Sequence, residues 1–470
     1  MAVYVNHVRK LLGPGCYAAG SMHSKIAITS DSRHPSARGS WVLRLWPRAA
    51  LVLGDHRQSL VVARSLARAG CEVILSSTGE PSATQHSRYI ARCRQRPILD
   101  RGASFLGASL AGFARTFPEG LIVFPVGDTE VAHTAADLHA LPPGSVAVMP
   151  PADIVHRCLN KATLYDLARC LGLAVADFEV IEPEQIEAAI GRIGLPCVIK
   201  PASSLEDASH VKALMLEQAP SVAIAELFRT SGAGWSRALV QRRVVGKRHN
   251  CHFVAHRGRL LAYFEQAVLR TTRLDGAGNG VDGVSVPPSA TRRGACERLI
   301  GALDYSGPGC VQFLVGPTDG ESWFLELNAR LDATCAIAER SGYDLPRLAV
   351  EEALYRRGDG PPPAALSRPY RVGVRGVWTT GDLRALLREL RTGRLSVSAA
   401  LRWCASMSWS FLRAHHHLTF HWSDPQPALR AILGMTVAPV WRRAKRLTYV
   451  YRYAAVICLA AALLSSCGPS

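Results

Sequence analysis

Lysine is scarce in this chain of 470 residues: of 55 basic side chains only seven are lysines, at positions 10, 25, 161, 200, 212, 247 and 445. Four lie between residues 49 and 355, all within Lys161–Lys247. Each of these ammonium groups is a candidate for a specific task, set against random survival of lysine in an arginine-rich genome. Paired cysteines are lacking too. The 13 cysteines form no C-x-x-C and no zinc spacing, which excludes a zinc ribbon, a dithiol redox motif and a small disulfide scaffold. Cys71, Cys197 and Cys310 sit in apolar runs and read as reduced core residues of a cytosolic protein. Gly54-Asp55-His56 is no G-x-G-x-x-G fingerprint, which argues against a nicotinamide cofactor. The longest uniformly apolar segment, Tyr453–Leu464, is about half of the ~20 residues a spanning helix needs. His415-His416-His417 resembles a metal tract, but adjacent histidines point to different faces of any regular element.

Net charge is lacking in the body of the chain. Of the total of +18, residues 1–48 carry seven basic and one acidic side chain, and residues 356–470 carry seventeen and four. The segment between is close to neutral. The flanks touch anionic lipid or nucleic acid, or are, more commonly for such runs, solvated faces. Nucleic acid is not an expected partner.

Two strings carry most of the information. Gly309-Cys310-Val311-Gln312-Phe313 and Phe324-Leu325-Glu326-Leu327-Asn328-Ala329-Arg330 each alternate apolar and polar residues as a half-buried strand does. The turn-type cluster Pro317-Thr318-Asp319-Gly320 between them predicts a hairpin. That hairpin brings Gln312 beside Glu326 and Asn328, which share a strand face because they are two apart. One carboxylate and two amide oxygens suit Mg²⁺, which takes few protein ligands and completes its shell with phosphate and water. Arg330, two further on, can offset developing phosphoryl charge. An ordinary hairpin with a polar outer face is the alternative.

The lysines point the same way. Lys200 ends the apolar run Leu195-Pro196-Cys197-Val198-Ile199, a strand terminus suited to a phosphate oxygen. Lys161 opens a helical pattern through Leu164, Leu167 and Leu171, where an N-terminus already favours anions.

These residues together resemble the ATP-grasp ligases, nearest in motif to the carbamoyl-phosphate synthetase large-chain type. The likeness runs from about Ala50 to Leu354 and includes Asn160-Lys161, the strand ending at Lys200, residues 239–246 and the two strings above. The resemblance implies ATP and Mg²⁺ (or Mn²⁺) as cofactors. Lys161 and Lys200 would bind phosphates, Gln241, Arg242, Arg243 and Val244 would form the hinge whose backbone reads adenine, and Gln312, Glu326 and Asn328 would hold the metal. Two departures matter. Residues 202–212 hold no glycine where the family carries a glycine-rich phosphate lid, so Lys212, with Ser203, Ser204 or His210, is the available replacement donor. The hinge glutamate common in relatives is Arg242 here.

The expected fold class is α/β. A basic, disordered leader (1–48) is either a mobile arm or an over-long start with Met22 or later as the true beginning. A Rossmann-like parallel-sheet domain (49–150), an ATP-grasp domain (151–356), a basic helical C-terminal region (357–448) and a short apolar tail (449–470) follow it. Ala50–Gly54, the helix through Leu60 and Leu66, and Cys71–Leu75 make the opening βαβ unit. Asp128, Thr129 and Glu130 follow the strand 121–126, where either substrate contact or helix capping fits. The implied activity is ligation of a carboxylate to an amine or thiol through an acyl phosphate, with Arg330 and Lys212 as catalytic groups. The alternative is a non-catalytic nucleotide-binding module whose lid has decayed. Expected partners are a small carboxylate and an amine. A homodimer, and weak contact of the basic C-terminal region with an anionic membrane, stay open, and the expected location is cytoplasmic.

Overall fold

Strand β1 (Ala49–Leu53) is fully buried along its length, and β2 (Glu72–Ser77) and β4 (Leu121–Pro125) flank it as parallel partners. Such two-sided burial is why these runs read as continuous apolar stretches. With β3 (Arg92–Gln95) and β5 (Val146–Ala147) they complete a five-stranded parallel sheet of order β3-β2-β1-β4-β5. Gly54 ends β1 at φ +105, a left-handed turn in which a Cβ would press on Glu130 and Val126. The computed structural model describes residues 46–77, 83–95, 110, 116–205, 213–217, 235–316, 321–393 and 395–443. The leader to residue 45, Lys212, His210, the turn 317–320 and the apolar tail lie outside the described residues.

A four-stranded antiparallel sheet of order β6-β9-β7-β8 follows, from β6 (Phe178–Ile181), β7 (Cys197–Pro201), β8 (Leu214–Leu216) and β9 (Ala238–Arg242). The helix Ile186–Ile193 covers it, and Ile181, Ile190, Ile199 and Trp235 form its own small core. Residues 243–246 then carry the chain into a seven-stranded sheet. Its first members are β10 (Lys247–His256), β11 (Arg259–Thr271) and β12 (Gly280–Ser285). The expected hairpin forms from β13 (Gly307–Val315) and β14 (Ser322–Asn328), and β13 pairs with β10 on its other side.

The C-terminal region differs from the purely helical expectation. The helices Thr379–Arg391, Val397–Leu412 and Gln426–Arg443 are present, but β15 (Arg375–Val377) pairs with β12, and β16 (His416–His417) pairs with β15. Strands of three and two residues are too short to show alternation, so the sequence gives no period to find. Arg375 anchors β15 by a bidentate pair with Asp282 of β12 at 2.8 Å, and the Ser410 hydroxyl donates to the same carboxylate at 2.7 Å. The segment also docks on the parallel sheet's helix Arg57–Arg68. Asp424, fully buried, accepts from Arg64 at 2.9 Å, from the Ser87 hydroxyl at 2.7 Å and from the Arg88 amide at 2.9 Å. Among the described residues no helix is long and apolar enough to cross a membrane.

Candidate active site

The helix Lys161–Cys170 starts where the sequence pattern puts it. Asn160 caps it by accepting from the Thr163 amide at 3.1 Å. The Lys161 amide donates to the Ala202 carbonyl at 3.0 Å and its Nζ to the Pro201 carbonyl at 3.1 Å, so this helix start is tied to the end of β7, next to Lys200. One turn on, Tyr165 is wholly buried and its hydroxyl donates to the Leu325 carbonyl of β14 at 2.8 Å. Lys200 Nζ donates to the Tyr165 oxygen and, at 3.0 Å, to Gln241 Oε1. An ammonium carries three donors, and these bonds use two of them. Burial pushes the Lys200 ammonium down to about 8, with the Glu326 carboxylate opposing. The four-stranded sheet thus presents its lysine toward the strand that carries Glu326.

On the facing sheet the register builds a polar row. Glu326 lies opposite Gln312, Gln312 opposite Asn250, and Asn250 opposite Gln266, so four strands contribute to one line of side chains. Asn328 Nδ2 donates to Glu326 Oε1 at 2.9 Å, and its Oδ1 accepts from Arg330 Nη2 at 3.5 Å. Gln312 is buried, while Glu326 and Asn328 are partly open. The donor set, one carboxylate with two amide oxygens, fits a Mg²⁺ that is mostly held by phosphates and water. No all-protein metal cage competes with it: among the described residues no group of three or more His, Cys, Asp or Glu could hold a metal ion.

Arg330 is held by Asp128, from the parallel sheet's side of the molecule, at 2.7 Å (Nε to Oδ1) and 2.6 Å (Nη2 to Oδ2). Burial alone would lower the Arg330 pKa, but the Asp128 carboxylate outweighs it and keeps the guanidinium charged. Beyond it, burial also opposes ionisation of Asp332. His252, the Thr334 hydroxyl and amide, and Arg330 together hold that carboxyl well below the ordinary range. His252 itself is driven to about 4 by burial, with Asp332 opposing, so its imidazole is neutral at pH 7 and Thr334 and Arg330 do most of the holding. Asn250 Nδ2 donates to Asp332 at 3.3 Å and Thr334 Oγ1 at 3.1 Å. Its Oδ1, the Gln266 Oε1, the His252 Nδ1 and the Arg248 Nε are buried without protein partners. Four such atoms on one sheet face are unusual for a plain core, where buried polar groups are paired. Arg57, stacked 3.8 Å from the Trp378 ring centre, donates to the Gly280 carbonyl at 3.0 Å. Its pKa falls to about 10 by burial, opposed by Asp332 and reinforced by Arg248 and Arg330. Three guanidiniums, Arg57, Arg248 and Arg330, therefore share this end of the face with two carboxylates, Asp332 and the Asp128 paired to Arg330.

The hinge positions divide. Gln241 faces inward, but Arg242 reaches Asp177 at 3.4 Å on the surface and Arg243 pairs with Glu217. Both side chains are thus engaged by carboxylates, and the Arg242 and Arg243 amides donate to the Asp177 and Pro196 carbonyls at 2.8 and 3.0 Å, just before the crossing between the two sheets. Lys247 is exposed at the start of β10. Tyr165, Arg57, Arg248, Asn250, His252, Gln266, Asp332 and Thr334 were not singled out by sequence as members of this site, whereas Asp128 was read as either a substrate contact or a helix cap. A signal existed for three: Arg248, Asn250 and His252 alternate with Cys251, Phe253 and Ala255 on β10, which marks a polar face on a buried strand.

Residues 290–355 match the family model for the carbamoyl-phosphate synthase L chain, ATP binding domain. The carbamoyl phosphate synthase large chain of Methanoculleus marisnigri is 26% identical over 257 residues, covering 52% of this chain and 24% of that protein. The same protein of Methanoregula boonei is 27% identical over 258 residues, covering 52% and 23%. The chain thus spans about a quarter of the length of these curated relatives. Among solved structures, the ADP complex of N5-carboxyaminoimidazole ribonucleotide synthetase superposes with TM-score 0.54 at 11% identity, covering 78% of this chain and 98% of that one. Biotin carboxylase of Campylobacter jejuni gives TM-score 0.51 at 14% identity, covering 69% and 74%. The chain is an α/β protein of the ATP-grasp fold, and its residues 290–355 resemble the ATP-binding domain of the carbamoyl-phosphate synthase L chain.

Proposed function

We propose that the protein is an ATP-dependent ligase that joins a carboxylate to an amine or thiol through an acyl phosphate. The observation that carries this reading is the confrontation of a buried, hydrogen-bonded Lys200 with the Glu326–Asn328 pair across Tyr165. Lys161 and Lys200 bind ATP phosphates, and the 241–244 backbone lies against the base. Gln312, Glu326 and Asn328 hold Mg²⁺ or Mn²⁺, which supplies positive charge to the transferring phosphoryl group. Arg57, Arg248 and Arg330 bind the substrate carboxylate, whose oxygen attacks the γ-phosphorus while Arg330 offsets charge as the bond to ADP breaks. The amine or thiol then displaces phosphate from the acyl carbon. The relatives named above, a synthase, a synthetase and a carboxylase, support a ligase of this general kind.

Lys212 is the lid donor on this reading, closing residues 202–212 over the phosphates and excluding water from the acyl phosphate. The glycine-free lid favours a second reading, a nucleotide-binding module without turnover. Lys212→Ala separates them. In the ligase it lowers the rate of phosphoryl transfer more than ATP affinity, because a lid contact tightens on closure. In the module no mixture of acids and amines releases ADP, and the substitution changes affinity alone or nothing.

A further inference from the structure

Away from the cleft, the helix Arg57–Arg68, the short helix Ala336–Arg340 and the segment 414–422 enclose a cavity of about 360 Å³. Its lining carries four arginines and one carboxylate: Arg64, Arg68, Arg340, Arg371 and Glu339. Two of these charges are compensated, Arg64 by Asp424 at 2.9 Å and Arg68 by Glu339. Arg371 has no carboxylate partner among the described residues; it donates to the Arg340 carbonyl. The Arg340 guanidinium has none either. Two like charges without a counter-ion at one mouth repel each other, and a dianion relieves that cost.

The rest of the lining fits the same ligand. Burial drives His416 to about 3, reinforced by Arg64, His417, His421 and Arg340; burial also lowers His417, and lowers His421 with Asp424 opposing. Neutral imidazoles offer hydrogen bonds rather than charge, and His417 Nδ1 is buried with no partner. A cation is disfavoured by the surplus guanidiniums, and these histidines form no metal-holding group. Phe420 and Trp422 meet edge to face at 5.0 Å, and Trp422 is 86% exposed, a large ring face left bare.

We propose that this cavity binds a phosphorylated small molecule with at least two negative charges and a flat ring. A phosphate's three acceptor oxygens match two guanidinium forks and a neutral imidazole, and the ring lies on Trp422. The site is separate from the ligase reading, since none of its lining residues belongs to the cleft.

The test is calorimetric titration of the full chain with pyrophosphate and with a nucleoside diphosphate lacking adenine. Wild type, Lys200→Met, an Arg340→Ser/Arg371→Ser variant, Trp422→Ala and Arg413→Ser, an arginine outside the cavity, are compared. Arg340, Arg371 and Trp422 are exposed, so these variants keep the fold. The expected result is binding that survives Lys200→Met and Arg413→Ser and weakens at least tenfold in the double arginine variant. Trp422→Ala weakens the nucleotide several-fold and leaves pyrophosphate unchanged. Loss of all binding in Lys200→Met, equal weakening by Arg413→Ser, no effect of Trp422→Ala on the nucleotide, or zinc binding that His416→Ala abolishes would each overturn the proposal.

Discussion

Asp128 and Arg330, 202 positions apart in the chain, form a two-point ion pair at 2.7 and 2.6 Å that joins the parallel sheet to the end of the metal-side strand β14. The pair sets where the Arg330 guanidinium can reach, and Asp128 is thereby a positioning residue. Asp128→Ala leaves a mostly buried arginine without its acceptor and should cost about 1–3 kcal/mol of stability by urea denaturation. A variant as stable as the parent would mean that Arg330 is held by other contacts.

The pair also marks the limit of what the sequence discloses. The β13–β14 hairpin, the opening βαβ unit and the Lys161 helix were legible because their patterns are local, an alternation or a cap followed by periodic leucines. Asp128 read equally as a cap or a substrate contact, since nothing local ties it to Arg330. Tyr165 was not singled out, since its role in seating Lys200 depends on β14 arriving from 160 residues away. β15 escaped because it is anchored by Asp282 through Arg375, with Ser410 on the same carboxylate, rather than by its own periodicity, and β16 because it is two residues paired to β15.

Lys161→Met and Lys200→Met should each weaken ATP binding by about 1.5–3 kcal/mol, the range of a charge-assisted contact. Lys247→Met, on an exposed strand start, should leave it unchanged. Calorimetry gives the comparison, and equal losses at all three positions would reduce the lysines to general charge.

Proton loss from Lys200 gives a pH signature. ATP phosphates bind the charged ammonium, and burial has brought its pKa down to about 8. Affinity is therefore near its maximum below pH 8 and should fall above it, by at most about tenfold per pH unit. In Lys200→Met the same titration should be flat between pH 7 and 9.5. A fall that persists in the variant would belong to another group.

Asp424 tests how the C-terminal segment is held. Asp424→Ala leaves the Arg64 guanidinium, 4% exposed, without its counter-charge and should destabilise the protein by about 3–5 kcal/mol. Thermal and chemical unfolding would both report it. A loss under about 1 kcal/mol would show that the segment 414–424 adds little to the fold.

The central claim is that Glu326 and its neighbours support ATP-driven ligation. The most direct measurement is ADP release by the purified full chain, with Mg²⁺, against pooled carboxylates and amines or thiols, run beside Glu326→Gln. That substitution removes a charge at nearly constant volume, so circular dichroism should be unchanged. Release that needs both an acid and a nucleophile in the parent, and is abolished in Glu326→Gln, is the predicted result. Equal turnover by the two proteins, or no release from any pool, would contradict the account.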